Sequence, residues 1–121
     1  LVVTDDIYQT RQQELCHITR QWFRALDYVQ ANPQEAQQRM SKRMGMDPAL
    51  YQGMMSGLVV PMREENVRLL SGSNPALLKP ANNLARAMLA AKLLPAPVDP
   101  AAALAPEFLF SCLDLHGNPA P

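Results

Sequence analysis

The placement of proline limits this chain more than any other feature. Eleven prolines fall within 121 residues. Each removes a backbone N–H, and its ring clashes with the preceding turn, so proline is excluded from a helix interior but suits a first turn. The residue before a proline is also pushed out of the helical region. Helices therefore have to run between prolines, and the longest gap is residues 1–32, ahead of Pro33. Within it, Leu15, Ile18, Trp22, Leu26 and Val29 recur at steps of three and four. That spacing predicts a helix with one apolar stripe, anchored by the only tryptophan. Arg11, Gln12, Gln13, Arg20, Gln21 and Arg24 fall on its other faces.

The same logic sets the boundaries that follow. In "ANPQE" the first helix should stop at Ala31, with Asn32 capping a restart, Pro33 opening it and Glu35 reaching back as the acid of a capping box. Ala36, Met40 and Met44 are then expected inward, with Gly45 as the stop. "MDPALYQGMMSG" repeats the device: Asp47 caps, Pro48 starts, Leu50, Met54 and Met55 pack, and Gly57 ends. Leu58–Pro61 reads as an extended connector, and "REENVRLL" as a short helix with Val67 and Leu70 inward. "SGSNP" is a break. Leu77, Leu78, Leu84, Ala85, Met88 and Leu89 mark a further helix, interrupted near Pro80 and ending near Leu94. Residues 95–106 hold four prolines and read as loop or a single helical turn, and "EFLF" as an apolar plug. Residues 110–121 read as a polar, frayed tail. Leu1–Thr4 is β-branched and apolar, which predicts a short strand. The expected fold class is mainly α, with about five helices and one N-terminal strand. Because a lone strand is not stable in water, a fragment or a chain completed by a partner is expected.

Composition excludes several function classes. Eleven basic and eleven acidic side chains cancel, which disfavours a nucleic-acid interface or a polybasic membrane patch. No window holds the roughly 18 uncharged apolar residues of a membrane span. Charged residues make up 18%, below the usual quarter, whereas 48% are hydrophobic.

Few residues suggest chemistry. Cys16 with His17, and Cys112 with His116, lack the paired spacing of a zinc site, so buried free thiols are the expected state, with one Cys16–Cys112 bridge as the alternative. Met40, Met44 and Met46 could bind a soft metal or a partner, but helical spacing favours the core. Glu64–Glu65 and Asp5–Asp6 suit helix starts rather than acid–base pairs. Residues 71–74, "SGSN", lack the lysine of a phosphate loop. No catalytic residue, cofactor or metal ligand is assigned.

The ordered series is more telling. Leu1–Thr4, then Ile18, Trp22, Phe23, Ala25, Leu26, Tyr28 and Val29, then Asn32, Pro33, Glu35 and Ala36, then Met44 to Pro48 and Tyr51, then Gly57-Leu58, Glu65-Asn66, Leu93-Leu94, Pro97, Asp99 and Phe108-Leu109 follow one another. This order resembles the C-terminal part of periplasmic solute-binding proteins of ABC importers, of the nitrate, sulfonate, taurine or thiamine-precursor type, over residues 1–109. The resemblance implies the helical closing portion of a two-lobed α/β type 2 periplasmic binding fold, with no enzymatic activity. It implies a periplasmic location, an importer permease as partner, and a small solute held only where a second lobe completes the cleft. The matched segment is structural in that family, so no ligand-binding residue is assigned. Exposed Met and Leu faces would then meet the N-terminal lobe or a second copy of the chain. Two other readings are a free-standing helical interaction module with a Met-rich face, and a segment of a pyrimidine-synthesis enzyme of thiamine metabolism.

Overall fold

The computed structural model describes residues 1–113, and among these it is helical with no strand. Seven α-helices follow in order: α1 Asp5–Thr10, α2 Gln12–Ala31, α3 Pro33–Met44, α4 Pro48–Met55, α5 Arg63–Leu70, α6 Leu78–Ala90 and α7 Pro106–Cys112. A single 3-10 turn covers Pro100–Ala103. The chain divides into two compact units, Leu1–Met62 and Arg63–Pro121.

The expected strand at Leu1–Thr4 does not form. These four residues are irregular and exposed, and no second strand stands beside them to share a ladder. The expected single long helix also starts in two pieces. Arg11, at φ −124° and ψ 36°, breaks α1 from α2.

In the first unit, α3 packs against both α2 and α4, and α1 against α2. Its buried apolar side chains are Leu15, Phe23, Ala36 and Tyr51. The α3–α4 joint is polar as well as apolar. Gln37 Nε2 donates to the Pro48 carbonyl at 2.8 Å, and the Tyr51 hydroxyl donates to Met40 Sδ at 3.1 Å. Ser41, almost fully buried, keeps its hydroxyl satisfied by donating to the Gln38 carbonyl at 3.1 Å, as a buried polar group must.

The boundaries fall where proline and glycine put them. Asp47 Oδ1 accepts from the Ala49 and Leu50 N–H groups at 2.8 and 3.3 Å, a full N-cap for α4. Gly45, at φ 67°, closes α3. Its N–H reaches the Lys42 carbonyl and the Met46 N–H reaches that of Ser41, the paired bonds of a Schellman end. The break at Asn32 works differently from the expected capping box. Asn32 does not cap α3; its Nδ2 turns back to the Tyr28 carbonyl at 3.2 Å and closes α2 instead. Glu35 does not reach back to the cap either: it is drawn forward to Arg39.

In the second unit, α5 packs with α7, and α6 with the 3-10 turn. Leu109 and Cys112 are its buried apolar residues. Helix α6 runs through Pro80, which sits harmlessly in the first turn, and it stops at Ala90 rather than near Leu94. Its end copies that of α3. The Lys92 N–H bonds the Leu89 carbonyl and the Leu93 N–H that of Met88, with Lys92 at φ 58° where glycine is the usual occupant. Of the expected tail, Phe110 to Cys112 belong to α7, and residues 114–121 lie outside the described residues.

Candidate functional site

Two surfaces stand out once the helix faces are assigned. The first is on α2. Successive helical residues turn by about 100°, so Leu15, Thr19, Phe23 and Leu26 share one face and Ile18, Trp22, Ala25 and Val29 the adjoining one. Together they make α2 apolar over roughly half its circumference. The fold covers only the first half of that arc. Phe23 is 2% exposed, whereas Trp22 is 55% and Ile18 52% exposed. Trp22 is therefore not the buried anchor that its spacing predicts. Phe23 takes that place.

The neighbouring helices repeat the pattern. On α3, Ala36 and Ser41 are buried, but Met40 and Met44, expected inward, are exposed. On α4, Tyr51 is buried, with Met55 half-buried, while Leu50 and Met54 are exposed. Leu84 on α6 is exposed too, and Val67 and Leu70 on α5 are half-buried. Among the described residues six apolar side chains are buried and nineteen large ones are exposed.

The second surface is a groove of about 520 Å³ in the second unit, lined by Asn74, Leu78, Lys79, Asn82, Asn83 and Arg86. Asn74 comes from the turn before α6, where Gly72 at φ 91° supplies the left-handed step that a side chain would resist. The other five lie along one side of α6. Arg86 Nη2 donates to Asn83 Oδ1 at 2.6 Å. None of these six residues stands out by motif; the detectable signal is an absence of acids, since no Asp or Glu occurs from residue 66 to residue 98.

The residues weighed for chemistry go elsewhere. Cys16 and Cys112 are both disulfide-bonded, so the expectation of free thiols is overturned, and neither sulfur is a thiolate available to a metal. His17 is exposed on α2, and His116 lies outside the described residues. No cluster of three or more His, Cys, Asp or Glu side chains able to hold a metal occurs among the described residues. Met40 gives its sulfur to Tyr51 and so is part of a joint. Glu65 accepts from Arg68, which holds its carboxyl below the ordinary range, and Glu64 is exposed. Ser71 donates to the Val67 carbonyl at 2.6 Å, closing α5. No helix among the described residues is long and apolar enough to cross a membrane.

One polar cluster joins the two sides of the Asn32 break. Glu35 takes a hydrogen bond from the Tyr28 hydroxyl and another from Arg39 Nε at 2.8 Å. The Tyr28 bond first, and Arg39 second, hold the Glu35 carboxyl below its ordinary value; the same bond raises the Tyr28 phenol. The cluster is solvated and links the last turn of α2 to the first turns of α3. No protein-family model, no curated protein and no solved structure matches the chain.

Proposed function

We propose that the chain is a non-enzymatic helical scaffold: the closing portion of a solute-binding component of an ABC-type importer for a small nutrient such as nitrate, a sulfonate, taurine or a thiamine precursor. The single observation that carries the reading is the half-covered apolar arc of α2. A helix apolar over half its circumference, with Trp22, Ile18 and Val29 left in water, is built to lie under another layer of structure. In a two-lobed binding fold that layer is the remainder of the lobe, or else a second copy of the chain. Two features support this reading. The order of residues from Ile18 to Leu109 resembles that family, and two disulfide-bonded cysteines suit an oxidising compartment such as the periplasm.

The test uses the native assembly. The protein is tagged, recovered from its source under non-denaturing conditions, and titrated with nitrate, taurine, an alkanesulfonate and a hydroxymethylpyrimidine in separate calorimetric runs. Saturable binding of one of them, in an assembly where Trp22 emission is that of a buried indole, supports the proposal. An assembly that buries Trp22 and binds none of the four overturns it, and favours a free-standing helical interaction module.

A further inference from the structure

The groove along α6 lies in the other unit and shares no residue with the α2 face. We propose that it is a binding site for a small organic oxyanion, with the charged head held between Lys79 and Arg86 and the body resting on Leu78. The proposal stands whether or not the importer reading does.

The chemistry follows from what lines the groove. Lys79 and Arg86 are seven residues apart on α6, which separates their backbones by about 10 Å along the axis and places them on nearly the same side. Asn82 and Asn83 lie between them. Both cations have stems long enough to lean toward a shared centre over these amides. Among the described residues neither Lys79 nor Arg86 has an ion pair. An acid-free run from residue 66 to residue 98 leaves no carboxylate nearby in sequence to claim them.

The amide geometry adds to this. Arg86 Nη2 occupies Asn83 Oδ1, so the remaining polar capacity of Asn83 is its Nδ2 donor. Asn74 and Asn82 bring further amides to the same space. The groove thus offers two full positive charges and several N–H donors, a set that suits an oxyanion and offers little to a cation. At about 520 Å³ it is much larger than a bare oxyanion, and Leu78 supplies an apolar wall, which points to an organic ligand with a compact apolar body. Because the groove is open to water, its charge contacts are screened, and binding should weaken as salt rises.

Amide-resolved NMR titration of the whole chain tests this, with inorganic phosphate, phenyl phosphate and benzoate as probes, each against sodium chloride at equal ionic strength. The expected result is saturable shifts confined to residues 74, 78, 79, 82, 83 and 86, tightest for phenyl phosphate or benzoate. Lys79→Gln or Arg86→Gln should each weaken binding about tenfold, as loss of one charge-assisted contact does. Both side chains are exposed, so the variants should keep the dispersed spectrum of the folded chain. Saturation by inorganic phosphate alone, with no gain from the phenyl group, contradicts an organic ligand. Linear shifts that match those of chloride, or shifts unchanged in both variants, overturn the site. The association of the α2 face is read separately in the same samples by diffusion measurement, and binding of an alkanesulfonate, taurine or nitrate that Lys79→Gln abolishes counts for this groove and not for the importer reading, so the two proposals fail independently.

Discussion

At the scale of single residues, the clearest contrast is between two neighbours. Phe23 is buried and Trp22 is more than half exposed, although both lie on the apolar arc of α2. Phe23→Ala should therefore cost about 3 kcal/mol or more, as removal of a core aromatic does. Trp22→Ala should cost under about 1 kcal/mol in the dissociated chain. Urea unfolding at low protein concentration, followed by far-ultraviolet circular dichroism, measures both; a larger loss at Trp22 would contradict the assigned face. The contrast also shows where sequence reading stops. Spacing at three and four marks an apolar arc, and the arc was legible. Which half of it the rest of the fold covers depends on where the other helices return, and that is not written in the spacing of α2.

The Tyr28–Glu35–Arg39 cluster gives a prediction with a sign. Glu35 is held below its ordinary value of 4.5, so its contribution to stability is fully present above that pH and is lost as pH falls through the lowered value. Tyr28 is raised above 10.0, so its share is present below that pH and is lost as pH rises through the raised value. Melting temperature measured against pH should show both limbs. Glu35→Gln should flatten the acid limb and Tyr28→Phe the alkaline one, by small amounts because the cluster is solvated. Unchanged limbs in both variants would show that the cluster does not hold the α2–α3 corner.

At the scale of elements, the helix ends were more legible than the helix faces. Pro33, Pro48, Gly45 and Asp47 each act locally, through a fixed φ, a left-handed step or a side-chain cap, so their effect is written within a few residues. Asn32 departs from the expected cap because an amide between two helices can serve either one, and here it closes the earlier. Asp47→Ala should lower stability by about 1 kcal/mol, the usual loss for an N-cap. Asn32→Ala should cost less, since Asn32 makes no cap bond to α3. Lys92 offers the opposite sign. It adopts φ 58° at the C-terminal end of α6, where a side chain is strained and glycine is not. Lys92→Gly should raise stability by roughly 0.5–1 kcal/mol once the added freedom of the unfolded chain is subtracted. Thermal unfolding of the three single variants checks all of these, and a loss at Lys92→Gly would contradict the strain. The α6 groove belongs to this scale as well. Its residues follow helical spacing, but no motif marks them, because long cations and amides are also what any solvated helix face carries.

At the scale of the whole molecule, the balance of buried and exposed apolar side chains dominates. Leu15, Phe23, Ala36 and Tyr51 hold the first unit, and Leu109 and Cys112 are buried in the second. Outside them stand Ile18, Trp22, Met44, Leu50, Met54, Leu58 and Leu84, each at least half exposed. Each is already about half covered, so its passage from water to a packed interface contributes roughly half of the full-burial value, about 1–1.5 kcal/mol. Association that buries only a few of them therefore outweighs a substantial part of the cost of losing free rotation and translation. The central claim is that the uncovered side of α2 is a packing face. The direct measurement is light scattering on the purified chain across a range of concentrations, with the emission of Trp22, the single tryptophan, recorded on the same samples. The account predicts that mass rises with concentration while Trp22 emission shifts to shorter wavelength, and that Trp22→Gln with Val29→Gln abolishes the rise without loss of helix. A folded chain that stays monomeric throughout, with Trp22 still in water, would contradict it.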